Sequence, residues 1–228
     1  MDTVNKEFFD ACASGDYAKV CAAIAKGANV NIANGDGRTG LMRSAKRGYT
    51  EIVRVLLDNG ADVRARDKNN KTAIMGAAKK GFVEICSLLV EAGADVNSHD
   101  NNGRTALMRA AFLGETDTVK FLVEKGAEVN AQDNKGRTAL MEAVLAFKVD
   151  VIQYLLSAGA DVNKQDNNGC TSLMRAAYGG YTELVEYLLN NGADKEIVDN
   201  NGQKAVHYVR TENLDSLKGI LKEGDTDR

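Results

Sequence analysis

Methionine recurs in this chain with a fixed step. Apart from Met1 it stands at Met42, Met75, Met108, Met141 and Met174, each 33 residues beyond the last. The same step governs Gly27, Gly60, Gly93, Gly126, Gly159 and Gly192, each followed by alanine, and Thr39, Thr72, Thr105, Thr138 and Thr171. A chain that repeats at this period folds as a stack of one supersecondary unit, because each copy can bury its apolar face only on its neighbours. The columns divide the sequence into an N-terminal unit, 1–33, five full repeats at 34–66, 67–99, 100–132, 133–165 and 166–198, and a closing unit, 199–228. One continuous domain, 1–228, is expected.

Within the repeat that begins at Asp100, turn residues Asp100 to Gly103 lead into the short apolar segment Ala106 to Leu113, whose small side chains favour close helix packing. Gly114 ends that first helix, since glycine reaches the left-handed conformation without a Cβ penalty. A second helix follows over Thr116 to Lys125, with Val119, Leu122 and Val123 at helical spacing. Glu51, Asp58, Glu84, Glu91, Asp117 and Glu124 recur on its other side and read as a solvated convex surface.

Two helices and a turn per 33 residues, with D-x-x-G-x-T before the first helix and G-A-D-V-N after the second, resemble the ankyrin repeat over essentially the whole chain. The resemblance implies an all-α solenoid of stacked helix-turn-helix units, with β-turn or hairpin fingers and a concave groove. The family's T-P-L-H motif appears here as Thr39 to Met42 and its four counterparts, with no proline in the chain and methionine in place of histidine; only His207 keeps the family's residue. In the family that histidine is associated with hydrogen bonds between neighbouring repeats, so thioether packing is expected to replace it at these junctions. Five methionines a whole repeat apart cannot converge on one ion, and they are read as core. The end units fit capping: Phe9 takes the methionine column, Leu217, Ile220 and Leu221 continue the second-helix pattern, and the polar residues 222–228 are expected to fray.

A net charge of -3 and a pI near 5.5 argue against a chain held to nucleic acid or anionic membrane by its overall charge. The beginning lacks the basic start and apolar run of a secretory signal, and no segment is long and apolar enough to span a bilayer. Cys12, Cys21, Cys86 and Cys170 show neither pairing nor metal-ligand spacing and read as reduced thiols, so a cytoplasmic protein is expected, with export by a non-classical route the alternative. Gly35, Gly37 and Gly40 match a dinucleotide-loop pattern, and Asn70 to Thr72 a glycosylation sequon, but both fall out of the repeat columns. His99 and His207 are the only histidines, and no nucleophile with its base can be assembled. No enzyme activity, metal or cofactor is implied.

The resemblance assigns partner contacts to the turn tips and the exposed side of the first helix. Ahead of the repeat threonine stand Arg38, Lys71, Arg104 and Arg137; after the methionine stand Arg43, Arg109, Glu142 and Arg175, with Gly76 in the second full repeat. At the end of the first helix Lys46 and Arg47, then Lys79 and Lys80, give way to Phe112 and Leu113, to Leu145, and to Tyr178. This strip, basic early and apolar in the middle repeats, is expected to dock a partner protein carrying acidic residues beside an apolar anchor, with the chain monomeric. RNA on the basic repeats, or self-association through the apolar strip, are the alternatives. Phe147 replaces the helix-ending glycine of the other repeats; left-handed geometry would strain it, so its turn is expected to rearrange, with its ring joining the apolar surface.

Overall fold

The computed structural model describes residues 2–211 and 214–221. Residues 222–228, where fraying is expected, lie outside them. The chain falls into two compact units, Met1–Glu128 and Val129–Arg228, which are taken in turn.

The first unit holds four helix pairs: α1 (Thr3–Ser14) with α2 (Tyr17–Ala25), α3 (Gly40–Arg47) with α4 (Thr50–Asp58), α5 (Ala73–Ala78) with α6 (Val83–Glu91), and α7 (Ala106–Leu113) with α8 (Thr116–Glu124). First helices pack in series from α1 to α7 and second helices from α2 to α8. Small residues permit the close first-helix contacts: Ala45, Ala77, Ala78, Ala110 and Ala111 are buried. Val53, Leu56, Ile85, Leu89, Val119 and Leu122 fill the space beneath the second helices. The methionines belong to this core, since Met42, Met75 and Met108 are all buried, and Phe9 takes the same place in the first pair. The acidic column from Glu51 to Glu124 is exposed, as its spacing predicts.

Threonine starts the first helices. Thr39 and Thr105 adopt extended backbone and accept a hydrogen bond from the amide of Met42 or Met108, satisfying one otherwise orphaned donor. Left-handed glycines close them, at φ 81° for both Gly48 and Gly114. These glycines also make room: a Cβ at Gly48 would lie 2.7 Å from the Phe82 ring, and one at Gly15 2.7 Å from Tyr49. Tyr49, Phe82 and Glu115 thus each lie, at the opening of a second helix, over the glycine of the repeat before.

Junction hydrogen bonds come from the asparagine of the V-N pair. Asn97 donates to the Gly126 carbonyl (3.0 Å) and accepts from the Glu128 amide (2.8 Å), and Asn31 does the same with Gly60 (3.0 Å) and Asp62 (2.7 Å). The methionines pack the core beneath while asparagine supplies the polar tie.

The second unit contains α9 (Ala139–Leu145) with α10 (Val149–Ser157), α11 (Ser172–Gly179) with α12 (Thr182–Asn190), then a 3-10 turn (Ala205–Tyr208) and α13 (Leu214–Leu221). Asn130 and Asn163 repeat the clamp on Gly159 and Gly192. In the closing unit lysine replaces threonine at the cap, and His207 Nδ1 accepts from the Lys204 amide instead (2.9 Å). Leu217 and Leu221 are buried, completing the cap.

Phe147 overturns the expectation of a rearranged turn. It sits at φ 52°, in the left-handed region, and the Lys148 amide still donates to the Ala143 carbonyl (2.9 Å), just as Tyr181 donates to Ala176 (3.2 Å) in the next repeat. The surrounding hydrogen bonds hold the backbone in place, so strain of about 1–3 kcal/mol is tolerated rather than relieved. The half-exposed ring stacks on Tyr181, with centroids 4.4 Å apart.

Candidate functional site

Every repeat turn is built on the same carboxylate or amide. Asp100 Oδ1 accepts from the amides of Asn102 (2.8 Å) and Arg104 (3.0 Å), and Asp67 Oδ1 from Asn69 (2.8 Å) and Lys71 (2.9 Å). These aspartates are buried, which leaves Oδ2 in need of a partner. In the third full repeat Arg109, nine residues on, fills that need by pairing with Asp100 Oδ2.

The second full repeat has Gly76 at that position. Among the described residues Asp67 Oδ2 finds only Arg38 of the preceding repeat, at 3.6 Å, and Arg38 also faces Asp36 at 3.7 Å. A surface cavity of about 280 Å3 opens here, walled by Met42, Thr72, Met75 and Gly76. Arg38, Arg43, Lys46 and Arg47 reach it from the first full repeat, Lys71 and Lys79 from the second, and Arg109 from the third. Of its described lining residues seven are basic and one, Asp67, is acidic. Arg43 stacks over the Phe9 ring at 4.2 Å. Lys46, Arg47, Lys71 and Lys79 have no carboxylate at ion-pair distance among the described residues, so their charge is uncompensated. Partial burial, and then the positive charges of Arg109, Lys46, Lys80 and Lys71, push the Lys79 ammonium below its ordinary pKa. A chain of net charge -3 therefore concentrates positive potential at one place in its first unit.

The remaining first-unit residues of the expected strip are not part of the cavity lining. Lys80 is exposed beside Lys79, and Phe112 and Leu113 take the corresponding positions in the third full repeat, 38% and 36% exposed. Arg104 is half-buried with its guanidinium 5.9 Å from the Phe112 ring centroid.

In the second unit the picture differs. Arg175 pairs with Asp166 Oδ2, and Arg137 bridges Asp133 (3.3 Å) and Glu142 (2.9 Å). Glu142 is 1% exposed, so it cannot present its carboxylate to a partner as expected; the guanidinium of Arg137 holds it inside. Leu145, Phe147 and Tyr178 are exposed, the last under the guanidinium of Arg210 at 4.1 Å.

The aspartate column and its arginine nine residues on are the feature that sequence reasoning passed over. Both columns are visible in the repeat, and the signal was the coincidence of Asp100 with Arg109 and of Asp166 with Arg175 against Asp67 with Gly76. Cys12 and Cys86 are buried, which pushes both thiols up to about 12 and holds them protonated at neutral pH. No group of three or more histidine, cysteine or carboxylate side chains placed to hold a metal occurs among the described residues. No helix among them is long and apolar enough to cross a membrane.

Helix pairs stacked in register, opened by threonine, closed by left-handed glycine and clamped by asparagine, define a helical repeat protein. The family model described as ankyrin repeats (3 copies) matches residues 8–100, 77–166 and 145–228, and the chain belongs to the ankyrin-repeat family. It is similar in structure to the ankyrin repeat domain of Bcl-3, a member of the IkappaB protein family, at 28% identity and a TM-score of 0.80, covering 93% of this chain and 98% of that one. The human ASB11 ankyrin repeat domain shares the fold, at 21% identity and a TM-score of 0.86, over 96% and 99% of the two chains. A search of curated proteins returns no match. Ankyrin repeat domains are in general protein–protein interaction modules, and the matches indicate no catalytic family.

Proposed function

We propose that this chain is the partner-recognition element of an adaptor, inhibitor or targeting assembly, and that its first unit carries the binding surface. The observation that supports this reading is the cavity in which seven basic side chains meet one carboxylate. Clustered like charges cost stability through self-repulsion, so such a cluster is better suited to meeting an acidic partner than to holding the fold together. The ends of the first helices extend the surface from Lys46 and Arg47 through Lys79 and Lys80 to Phe112 and Leu113. The partner is a protein segment with acidic residues followed by an apolar side chain, the charges steering encounter and the apolar group anchoring it. The protein acts in the cytoplasm, as a monomer.

A photocrosslinking amino acid placed at Lys80 or Leu113, and separately at Asp117 on the second helix, tests the face. Adducts are expected from Lys80 and Leu113 and not from Asp117, and they disappear when Lys46 and Lys79 are both changed to glutamate in a chain that remains folded. Adducts from Asp117 alone would move binding to the opposite side of the repeats.

A further inference from the structure

The Gly76 cavity lies where three other full repeats hold an arginine, Arg43, Arg109 and Arg175. Arg109 and Arg175 each stand nine residues after a turn aspartate and pair with its Oδ2, whereas Gly76 leaves the equivalent space beside Asp67 empty of side chain. Two kinds of group could enter it. A cation from outside would complete Asp67 as the arginines complete Asp100 and Asp166, but even with Arg109 neutralised by Asp100 it would meet six positive side chains for one negative. Like charges repel, and a single carboxylate already shared with Arg38 cannot offset that excess. The occupant is an anion.

We propose that this cavity is a recognition pocket for a phosphorylated serine or threonine side chain on the partner segment, a deepening that rests on the basic-face reading above. Cations reach the space from two successive repeats, Arg43 and Lys46 from the first and Lys71 and Lys79 from the second, while Arg109 of the third lines it with its guanidinium already paired to Asp100. A planar carboxylate of single charge engages one such donor fork. A phosphoryl group, with a charge near -2 at neutral pH and three acceptor oxygens pointing apart, matches donors arriving from several sides. Guanidinium and ammonium donors are the groups that phosphoryl recognition recruits. Nucleic acid is the weaker fit: about 280 Å3 holds one phosphorylated side chain rather than a strand, and the exposed acidic column of Glu51, Glu84 and Asp117 opposes an extended polyanion. Gly76 is what keeps the pocket open. It lies within α5 with a Cβ direction meeting Lys46 Cβ at 3.2 Å, so glycine lets Lys46 lie against the helix and face the cavity.

The decisive variant is Gly76→Arg. It restores the arginine found in the third and fifth full repeats, fills the cavity and adds a positive charge. Diffuse attraction would strengthen with it; a pocket would be lost. The experiment is an amide-resolved NMR titration of the full chain, above pH 7, with O-phospho-L-serine, L-glutamate and uridine 5'-monophosphate as separate probes. Phosphoserine is expected to give saturable shifts confined to Arg43–Arg47 and Thr72–Lys79, with L-glutamate binding at least about tenfold more weakly, the factor that 1.4 kcal/mol represents. Gly76→Arg abolishes these shifts, and Lys79→Gln, an exposed change that does not threaten the fold, weakens them about tenfold. Undiminished phosphoserine binding in Gly76→Arg would overturn the pocket, as would equal binding of L-glutamate or tighter binding of the nucleotide. Either of the first two leaves the basic face standing, since crosslinking from Lys80 is read independently; crosslinks from Asp117 alone sink the face itself.

Discussion

The second and fifth full repeats begin with the same turn and diverge nine residues later. Asp166 Oδ1 accepts from the amides of Asn168 and Cys170 (both 2.9 Å), as Asp67 Oδ1 does from Asn69 and Lys71, so the backbone of the two turns is held alike. The other oxygen separates them: Arg175 takes Asp166 Oδ2, while Gly76 offers Asp67 nothing and Arg38 stands off at 3.6 Å. Two further repeats find other answers. Arg137 serves Asp133 and Glu142 together, and the Tyr208 hydroxyl donates to Asp199 (2.7 Å) in the closing unit. The repeat therefore needs only half of its aspartate for the turn. The free half is where repeats become individual, either by building an internal ion pair or by leaving a cavity for something else.

The sharpest way to break this comparison is to remove the charge from each aspartate while keeping an acceptor for the turn. Asp166→Asn and Asp100→Asn leave a nearly buried arginine without its counter-charge and are expected to cost about 3 kcal/mol each, at the low end for breaking a buried pair. Asp67→Asn is expected to cost under about 1 kcal/mol, since only the exposed Arg38 is affected. Urea midpoints read the difference. Equal losses in all three would show that the second oxygen is irrelevant and that the Gly76 cavity is an accident of packing.

The period, the methionine core, the threonine starts and the acidic outer column were legible in the sequence because each depends on backbone register, and register is what a repeat writes. The partners of the arginines were not. Arg109, Arg137 and Arg175 share their columns with residues that face open space, and only the packed structure shows their guanidinium groups folded back onto buried aspartates. Glu142 misled for the same reason: its column assigns it to the partner-docking strip, but it is an internal partner of Arg137. The basic cluster from Arg38 to Lys79 was legible, since four of its members lack an internal acid to fold onto. Phe147 misled in the opposite direction, because local strain suggests rearrangement whereas the hydrogen bonds around it decide the outcome.

Phe147 also extends the comparison to the tips of the helix pairs, with the next largest effect. In the first two full repeats an aromatic ring lies over the glycine of the preceding repeat, Tyr49 over Gly15 and Phe82 over Gly48. Phe147 denies Tyr181 that seat, and the Tyr181 ring leans instead on Gly179, where a Cβ would come within 2.4 Å of it. Gly179→Ala, which by helix propensity alone would stabilise by about 1 kcal/mol, is expected to destabilise by about 1–2 kcal/mol, an overpacking cost. Phe147→Gly is expected to rescue it by freeing the ring to move, with a coupling of about 1 kcal/mol in a double-mutant cycle. Additive changes would mean that the two sites are unrelated.

The smallest effect lies at the start of the first helices, where the second full repeat is again the exception. Thr39, Thr105, Thr138 and Thr171 each accept from the methionine amide three residues on, at 3.2–3.3 Å. Thr72 makes no such bond, although its backbone is extended like theirs, and its buried hydroxyl has no hydrogen-bond partner among the described residues. A cap that bonds is stabilising by about 1 kcal/mol, whereas a buried hydroxyl without a partner carries a desolvation cost that a methyl group does not. Thr105→Val is therefore expected to lose about 1 kcal/mol, while Thr72→Val, which keeps the side-chain shape, should be neutral or slightly stabilising in the same urea series. Opposite signs would tie both oddities of this repeat to one cause: it gives up the internal polar bonds at residues 72 and 76 around the wall of its cavity. A matched loss at both threonines would leave Gly76 as an isolated substitution.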